Sequence, residues 1–310
     1  FKAQAGDDDR SEISAKKAFS DLSELMCIPV EALENAFTER TMKTRNETYK
    51  VPLNPIVARE SCEAFAREIY GRSFLWLVRS INDATCAEHN YKQGLMDDFG
   101  IIGLLDIFGF ESFVRNRFEQ LCINITNEAL QQQFNKFIFK LEQAEYESEK
   151  INWAFISFPD NQDCLDTIQQ KKTGILAMLD DECRLPRGSD RNFATRMFDQ
   201  WIPEKDQTVS ENTRFSSTKV QQGKAIFCIR HFAGIVEYRA ETNFMEKNKD
   251  EVPLTAQNLL QTAPSQLIQD VYACQLKETQ DRSGDAAKAS KSAAKQKTVG
   301  QQFKEQLVEL

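Results

Sequence analysis

Histidine is nearly absent: His89 and His231 are the only two in 310 residues. Two imidazoles leave little room for imidazole-based acid–base chemistry. The eight cysteines, Cys27, Cys62, Cys86, Cys122, Cys164, Cys183, Cys228 and Cys274, form no CxxC pair. Scattered spacing at this chain length argues against a disulfide framework or a zinc site, so buried reduced thiols are expected. The longest apolar stretch, 99-FGIIGLLDIFGF-110, is short and interrupted by Asp106, so it does not span a membrane. Positive charge is in deficit: 39 Lys and Arg against 47 Asp and Glu give a net charge of −8. That balance excludes a nucleic-acid-binding polycation. Phe1 is not a start residue, no charged-then-apolar leader follows it, and the sequence reads as a piece of something longer.

What is present is ordinary for a soluble globular protein, with 41% hydrophobic and 28% charged residues. Residues 1–12 are polar and acidic and read as a frayed end or a cut loop. Helical periodicity runs from Ser14 to Phe37, broken at Pro29. Residues 38-TERTMKTRNETYKVPLN-54 alternate polar and apolar side chains and carry Arg40, Lys43, Arg45 and Lys50, as a basic, solvated β-hairpin or extended loop would. Helix returns over 57–82. The run 101-IIGLLDIFGF-110 reads as a strand buried on both faces of a parallel sheet, although no neighbouring strand is visible in the sequence.

No Gly or Pro occurs from Phe110 to Phe158, and an apolar face repeats through Leu121, Ile125, Phe134 and Leu141. This predicts one long helix of ~30 residues, about 45 Å. Residues 164–183 read as helix, followed by a Pro–Arg–Gly turn and a new N-cap at Ser189 or Asp190. Polar loop is expected over 204–223, two short antiparallel strands over 225–240, and helix over 251–273 with a break at Pro264. Residues 281-DRSGDAAKASKSAAKQK-297 have five basic residues, two acidic ones and no large apolar side chain, so they read as a flexible loop. Apolar periodicity resumes at Val299, Phe303 and Leu307.

The chemistry-bearing constellation is Asp106-Ile-Phe-Gly109-Phe110-Glu111. An apolar strand ending in Asp suits a Mg²⁺ site, because a hard cation prefers carboxylate oxygen. A glycine three residues on lets the backbone approach a terminal phosphate. DxxG spacing alone does not separate a nucleotide site from a strand-ending turn.

Longer motifs do separate them. The run 105-LDIFGFESF-113, followed by 117-RFEQLCINITNEALQQQFN-135, resembles the myosin motor domain. The likeness continues in order through 151-INWAFISF-158, 174-GILAMLDDECRLPRGSD-190, 229-IRHFAGIVEY-238 and 245-MEKNKD-250, and upstream through 38–54 and 70–82. The resemblance implies a predominantly α-helical α/β piece of a P-loop NTPase-like fold, with one central-sheet strand, a long relay helix and a small antiparallel hairpin. It implies an order of parts: 1–98 as the end of the upper half of an actin-binding cleft, 99–111 as central strand and second switch loop, 112–273 as relay and lower half, 274–298 as a Lys-rich loop and 299–310 as the next helix.

The same resemblance assigns roles. Asp106 would stand near Mg²⁺, through water; Gly109 would offer its amide to the γ-phosphate of ATP; Glu111 would pair with an arginine of the first switch. Phe134 and Trp153 would belong to the relay. Actin would meet Arg40, Lys43 and Arg45, the tip at Leu185, Pro186 and Arg187, and Lys288, Lys291, Lys295 and Lys297. The phosphate loop GxxxxGK[ST] does not occur in the sequence. The piece is therefore expected neither to bind ATP tightly nor to hydrolyse it alone, and to need the rest of the motor; light chains would bind only elsewhere. A cytoplasmic, cytoskeletal location follows, with no nucleic-acid partner. Two other readings are a non-enzymatic actin-binding protein descended from such a head and an unrelated nucleotide switch using DxxG. Two departures from the family pattern stand out: Asn243 where Gly is frequent, which positive φ tolerates, and Phe232 where Tyr is common.

Overall fold

Pro29 interrupts the first apolar periodicity, and the chain turns there. In the computed structural model, which describes residues 1–43, 48–85, 102, 104–152, 154, 160–185, 187–202, 213–249, 252–272 and 297–309, the backbone divides into two units. One comprises Phe1–Gly103 with Glu251–Lys295, the other Leu104–Asp250 with Gln296–Leu310.

The first unit opens with β1 (Lys2–Gln4) paired antiparallel to β2 (Asp7–Glu12), so the expected frayed end is a hairpin. Gly6 at φ 84 supplies the turn that the polar composition disguised. Helix α1 (Lys16–Met26) ends at Cys27 in the left-handed conformation, whose N–H reaches Glu24 O. Helix α2 (Val30–Thr38) starts after Pro29. Strands β3 (Glu39–Lys43) and β4 (Thr48–Pro52) form the expected hairpin, in register from Glu39↔Pro52 to Lys43↔Thr48. Asn54 caps α3 (Pro55–Ala84) by accepting from the amides of Ile56 and Val57, with Pro55 at the first position, where its missing N–H costs nothing. Phe19, Phe37 and Phe65 pack edge to face, 5.9 Å and then 5.0 Å apart, at the centre of the core. Helix α10 (Leu254–Gln261) and the helical stretch 266–272 pack on this core through Ala256, Leu260, Ile268 and Val271. The second half of α3 differs: Tyr70, Phe74, Leu77 and Ile81 are exposed.

The second unit is built on α4. It runs Phe118–Phe134, widens into a π-helical stretch at Asn135–Leu141, and ends as Glu142–Ser148, giving the long helix expected. Where one helix was expected over 164–183, two form: α5 (Gln162–Gln169) and α6 (Ile175–Cys183), separated at Gly174. Helix α7 (Asp190–Trp201) is capped by Ser189, whose Oγ accepts from Asn192 N at 3.1 Å. The expected polar loop instead carries β5 (Phe215–Ser216) and α8 (Lys219–Gly223) in its described part. Strand β5 joins β6 (Ile226–His231) and β7 (Gly234–Arg239) in a three-stranded antiparallel sheet. Phe215, Phe227 and Tyr238 stack across it, 6.0 Å and 5.5 Å apart. Asn243, at φ 67, takes the positive φ expected before α9 (Phe244–Lys249). Helix α11 (Val299–Glu309) is tied in by a buried network: Asp180 accepts from Thr298 and Asn248, and Asn248 accepts from Gly300 N.

One element of the expected fold class does not appear among the described residues. Residues 102 and 104–113 make no strand, and Ile102 and Leu104 are 91% and 94% exposed. A strand exists only through its ladder, and among the described residues none lies beside this run. The described residues are therefore mostly helical, with small antiparallel sheets and no central parallel strand. The described cysteines are free thiols, but only Cys164 and Cys228 are buried; Cys62, Cys122 and Cys183 are partly exposed and Cys27 is exposed, while Cys86 and Cys274 lie outside the described residues.

Candidate functional site

Asp106, Gly109 and Glu111 lie on one irregular segment, but the protein treats its two ends differently. Asp106 is exposed, and a Cβ built on Gly109 would meet nothing within 4 Å, so no contact among the described residues requires the glycine. The nearest anchor is Asn127, whose Nδ2 donates to Phe108 O at 3.0 Å.

Glu111 is held tightly. Its N–H donates to Asn124 Oδ1 at 2.8 Å, and its carbonyl accepts from Asn124 Nδ2 at 2.8 Å. Its carboxylate accepts from Gln120 Nε2 at 3.3 Å. Asn116, 1% exposed, repeats the device three residues past Phe113: it bonds the N–H and C=O of Phe113 and donates to Glu237 O on β7. A pinned Glu111 beside an open Asp106–Gly109 edge is the geometry on which the site stands.

Behind Glu111 lies a buried polar cluster that the sequence reading passed over. Glu128 accepts from Asn161 Nδ2 at 2.7 Å and from Phe232 N at 3.1 Å, and it faces His231 Nδ1 at 2.9 Å. Burial alone would raise the Glu128 pKa, but these donors outweigh it and hold the carboxyl below the usual range. His231 Nε2 lies 2.8 Å from Tyr238 Oη, which accepts from Asn124 Nδ2. The Sγ of Cys164 lies 3.8 Å from His231 Nδ1. Glu128, Cys164 and His231 thus have the makings of a metal site, their candidate ligand atoms all within 4.8 Å. The chemistry opposes it: burial pushes the Cys164 thiol far up, so the thiolate a metal needs is not available, and the hydrogen bonds already close the group. The sequence did carry a signal. Asn124 and Glu128 stand four apart on the same helix face as Leu121 and Ile125, where polar residues are out of place unless they are bonded.

The other expected site residues scatter. Arg40 is exposed on β3, and Lys43 ends that strand; Arg45 lies outside the described residues. The nearby Lys50 pairs with Glu39 at 3.1 Å, which offsets part of the hairpin's positive charge. Leu185 is half-exposed at the turn between α6 and α7, beside exposed Arg187, and Pro186 lies outside the described residues. Lys297 is exposed and forms an ion pair with Glu305 at 2.7 Å. Phe134 is exposed and packs edge to face on Phe139 at 6.2 Å. Trp153, Lys288, Lys291 and Lys295 lie outside the described residues. No helix among the described residues is long and apolar enough to cross a membrane.

With respect to ATP and Mg²⁺, the fit is partial. Asp106 offers one exposed carboxylate and Gly109 an unobstructed backbone, while the lysine-bearing phosphate cradle is not in the sequence.

Comparison with known proteins covers the whole chain. The family model described as myosin head (motor domain) matches residues 1–310. Myosin-6 of Arabidopsis thaliana is 40% identical over 303 residues, covering 98% of this chain and 18% of the relative. Myosin-8 of the same plant is 40% identical over 288 residues, and Myosin-14 is 38% identical over 308. These cover 93% and 99% of this chain, but only 17% and 18% of the relatives' own length. The chain thus spans less than a fifth of the length of these three relatives.

Proposed function

The chain belongs to the myosin head (motor domain) family, and from that membership we propose that it supplies the second switch, the relay helix and part of the actin-binding surface of a cytoskeletal motor. In this reading residues 1–98 end the upper half of the cleft, 112–273 and 299–310 contribute the lower half, and 274–298 bridge toward actin. The intact motor uses ATP and Mg²⁺ in the cytoplasm. With ATP and Mg²⁺ bound, Asp106 would stand near the Mg²⁺ through water, Gly109 would offer its amide to the γ-phosphate, and Glu111 would help to position the attacking water. The bound nucleotide would supply the charge and the bond that breaks; this chain's residues would orient it.

The observation that carries the reading is the contrast within the DIFGFE segment. Glu111 is fixed by two backbone hydrogen bonds to Asn124, while Asp106 and Gly109 are open to a ligand. A residue that orients a reacting water needs a fixed base, and residues that receive a phosphate need a clear approach. Without the phosphate cradle the 310 residues are proposed not to turn over ATP alone. Actin contacts would come from Arg40, Lys43, Arg45, Leu185, Pro186, Arg187, Lys288, Lys291, Lys295 and Lys297, with the relay centred on Phe134 and Trp153.

The test is actin-activated ATP hydrolysis by the full-length polypeptide carrying Glu111→Ala. Hydrolysis is expected to fall by about 10²-fold or more, with ATP still bound. Unchanged turnover, or no turnover in the parent with actin co-sedimentation retained, would overturn the catalytic reading and leave an actin-binding protein.

A further inference from the structure

Hydrogen counting behind Glu111 gives a chain with one direction. Asn124 Nδ2 has two hydrogens; one goes to Glu111 O and the other to Tyr238 Oη, each at 2.8 Å. Asn124 Oδ1 accepts the Glu111 N–H at 2.8 Å, so a flipped amide would set donor against donor. Tyr238 therefore receives a hydrogen from Asn124 and sends its own to His231 Nε2 at 2.8 Å. With Nε2 accepting, the imidazole hydrogen sits on Nδ1 and is given to Glu128 Oε2 at 2.9 Å. The Glu128 carboxylate meets donors only: His231, Asn161 and the Phe232 amide. Asn124, Glu128 and Tyr238 are 0% exposed and His231 is 2% exposed, so water does not compete for these bonds.

We propose that Tyr238, His231 and Glu128 are positioning residues for Glu111, acting through Asn124 in a one-way hydrogen-bond chain that fixes the place of the Glu111 backbone. The proposal rests on the reading of Glu111 given above. The chain ties three elements to one residue: Asn124 and Glu128 stand on α4, His231 on β6 and Tyr238 on β7. Reversing any one bond forces the others to reverse or leaves a buried donor unpaired, which costs more than the bond itself contributes. A movement of β6 and β7 against α4 would therefore reach Glu111 as a loss of its clamp. The rings hold the same register: Phe110, next to Glu111, packs edge to face on His231 at 5.4 Å and on Phe232 at 6.0 Å.

The test uses hydrogen exchange and kinetics on the full-length polypeptide. In the unaltered protein the Glu111 amide is expected to exchange as slowly as amides of the β6–β7 ladder; exchange as fast as in an open loop would overturn the proposal without any variant. Tyr238→Phe removes one hydroxyl and keeps the stacked ring, and Asn124→Asp keeps an acceptor but loses both hydrogens. Each is expected to speed Glu111 exchange by about fivefold or more, the equivalent of one lost net hydrogen bond, while ladder amides at Phe227 and Ile229 stay slow. Tyr238→Phe should also lower kcat with little change in KM for ATP. Uniform loss of protection at Glu111 and the ladder alike would mean a merely structural role. Exchange at Glu111 that ignores both variants sinks the positioning idea even if Glu111→Ala abolishes turnover. Normal turnover in Glu111→Ala sinks the catalytic reading even if exchange responds.

Discussion

Glu128 shows how a charge is kept inside a protein whose other buried carboxylates are few. Its folded pKa is lowered, because hydrogen bonds from His231, Asn161 and Phe232 favour the ionised form over the cost of burial. The linkage follows in sign. Its contribution to stability is fully present above the ordinary glutamate pKa of about 4.3 and is lost as pH falls through the lower folded value. Glu128→Gln brings an NH2 group against a cluster of donors, so about 1–3 kcal/mol of stability should be lost near neutrality. In acid the gap should narrow, because the parent loses what the variant never had. Urea midpoints across the acid range check this, and a constant gap would contradict it. Residue by residue, the candidate site was only half legible in the sequence. Asp106, Gly109 and Glu111 stand in a contiguous motif, whereas Asn124, Asn161 and the His231–Tyr238 hairpin are brought together from three separate places, and pairing across such distances leaves no spacing to read.

Among elements, helices were legible and the strand was not, for a physical reason. A helix satisfies its backbone within itself, so periodicity and boundary signals such as the break at Pro29 and the N-cap at Ser189 locate it. A strand is satisfied only by neighbours, and the run through Leu104 to Ile107 has none among the described residues. The break between α5 and α6, which ends at Gly174, was missed. A Cβ there would meet the backbone N and O of Gln170 at 2.6 Å, so the turn between α5 and α6 admits only glycine without a shift. Gly174→Ala should cost about 1–3 kcal/mol, read as a lower melting temperature with the far-ultraviolet spectrum retained. At the end of α6, Leu185 is an exposed apolar tip flanked by Arg184 and Arg187. An apolar anchor with a charged rim is the usual form of an interface centre. Leu185→Asp should weaken actin co-sedimentation by the full-length polypeptide at least about tenfold and leave thermal stability unchanged, since little burial is lost. Equal binding by parent and variant would remove the tip from the proposed surface.

For the molecule as a whole, the two units each carry a separate core. Phe19, Phe37 and Phe65 centre one; Phe193, Phe227 and Phe244 lie in the other. The chain passes from the first to the second and returns at Glu251, so the first unit closes only after the second has been made. Helix α10 packs on α2 through residues more than two hundred positions away, a separation that no local pattern in the sequence announces and that loop-closure entropy makes slow to form. Cores built this way should respond separately. Phe37→Ala opens a cavity beside Phe19 and Phe65 and should cost about 3–5 kcal/mol, speeding exchange at Leu33 and Ala64. Amides at Ile125 and Met197 belong to the other core and should keep their protection. If Phe37→Ala instead loosens both sets equally, the cores melt as one cooperative unit, and the division at Leu104 marks a path of the chain rather than a boundary of stability.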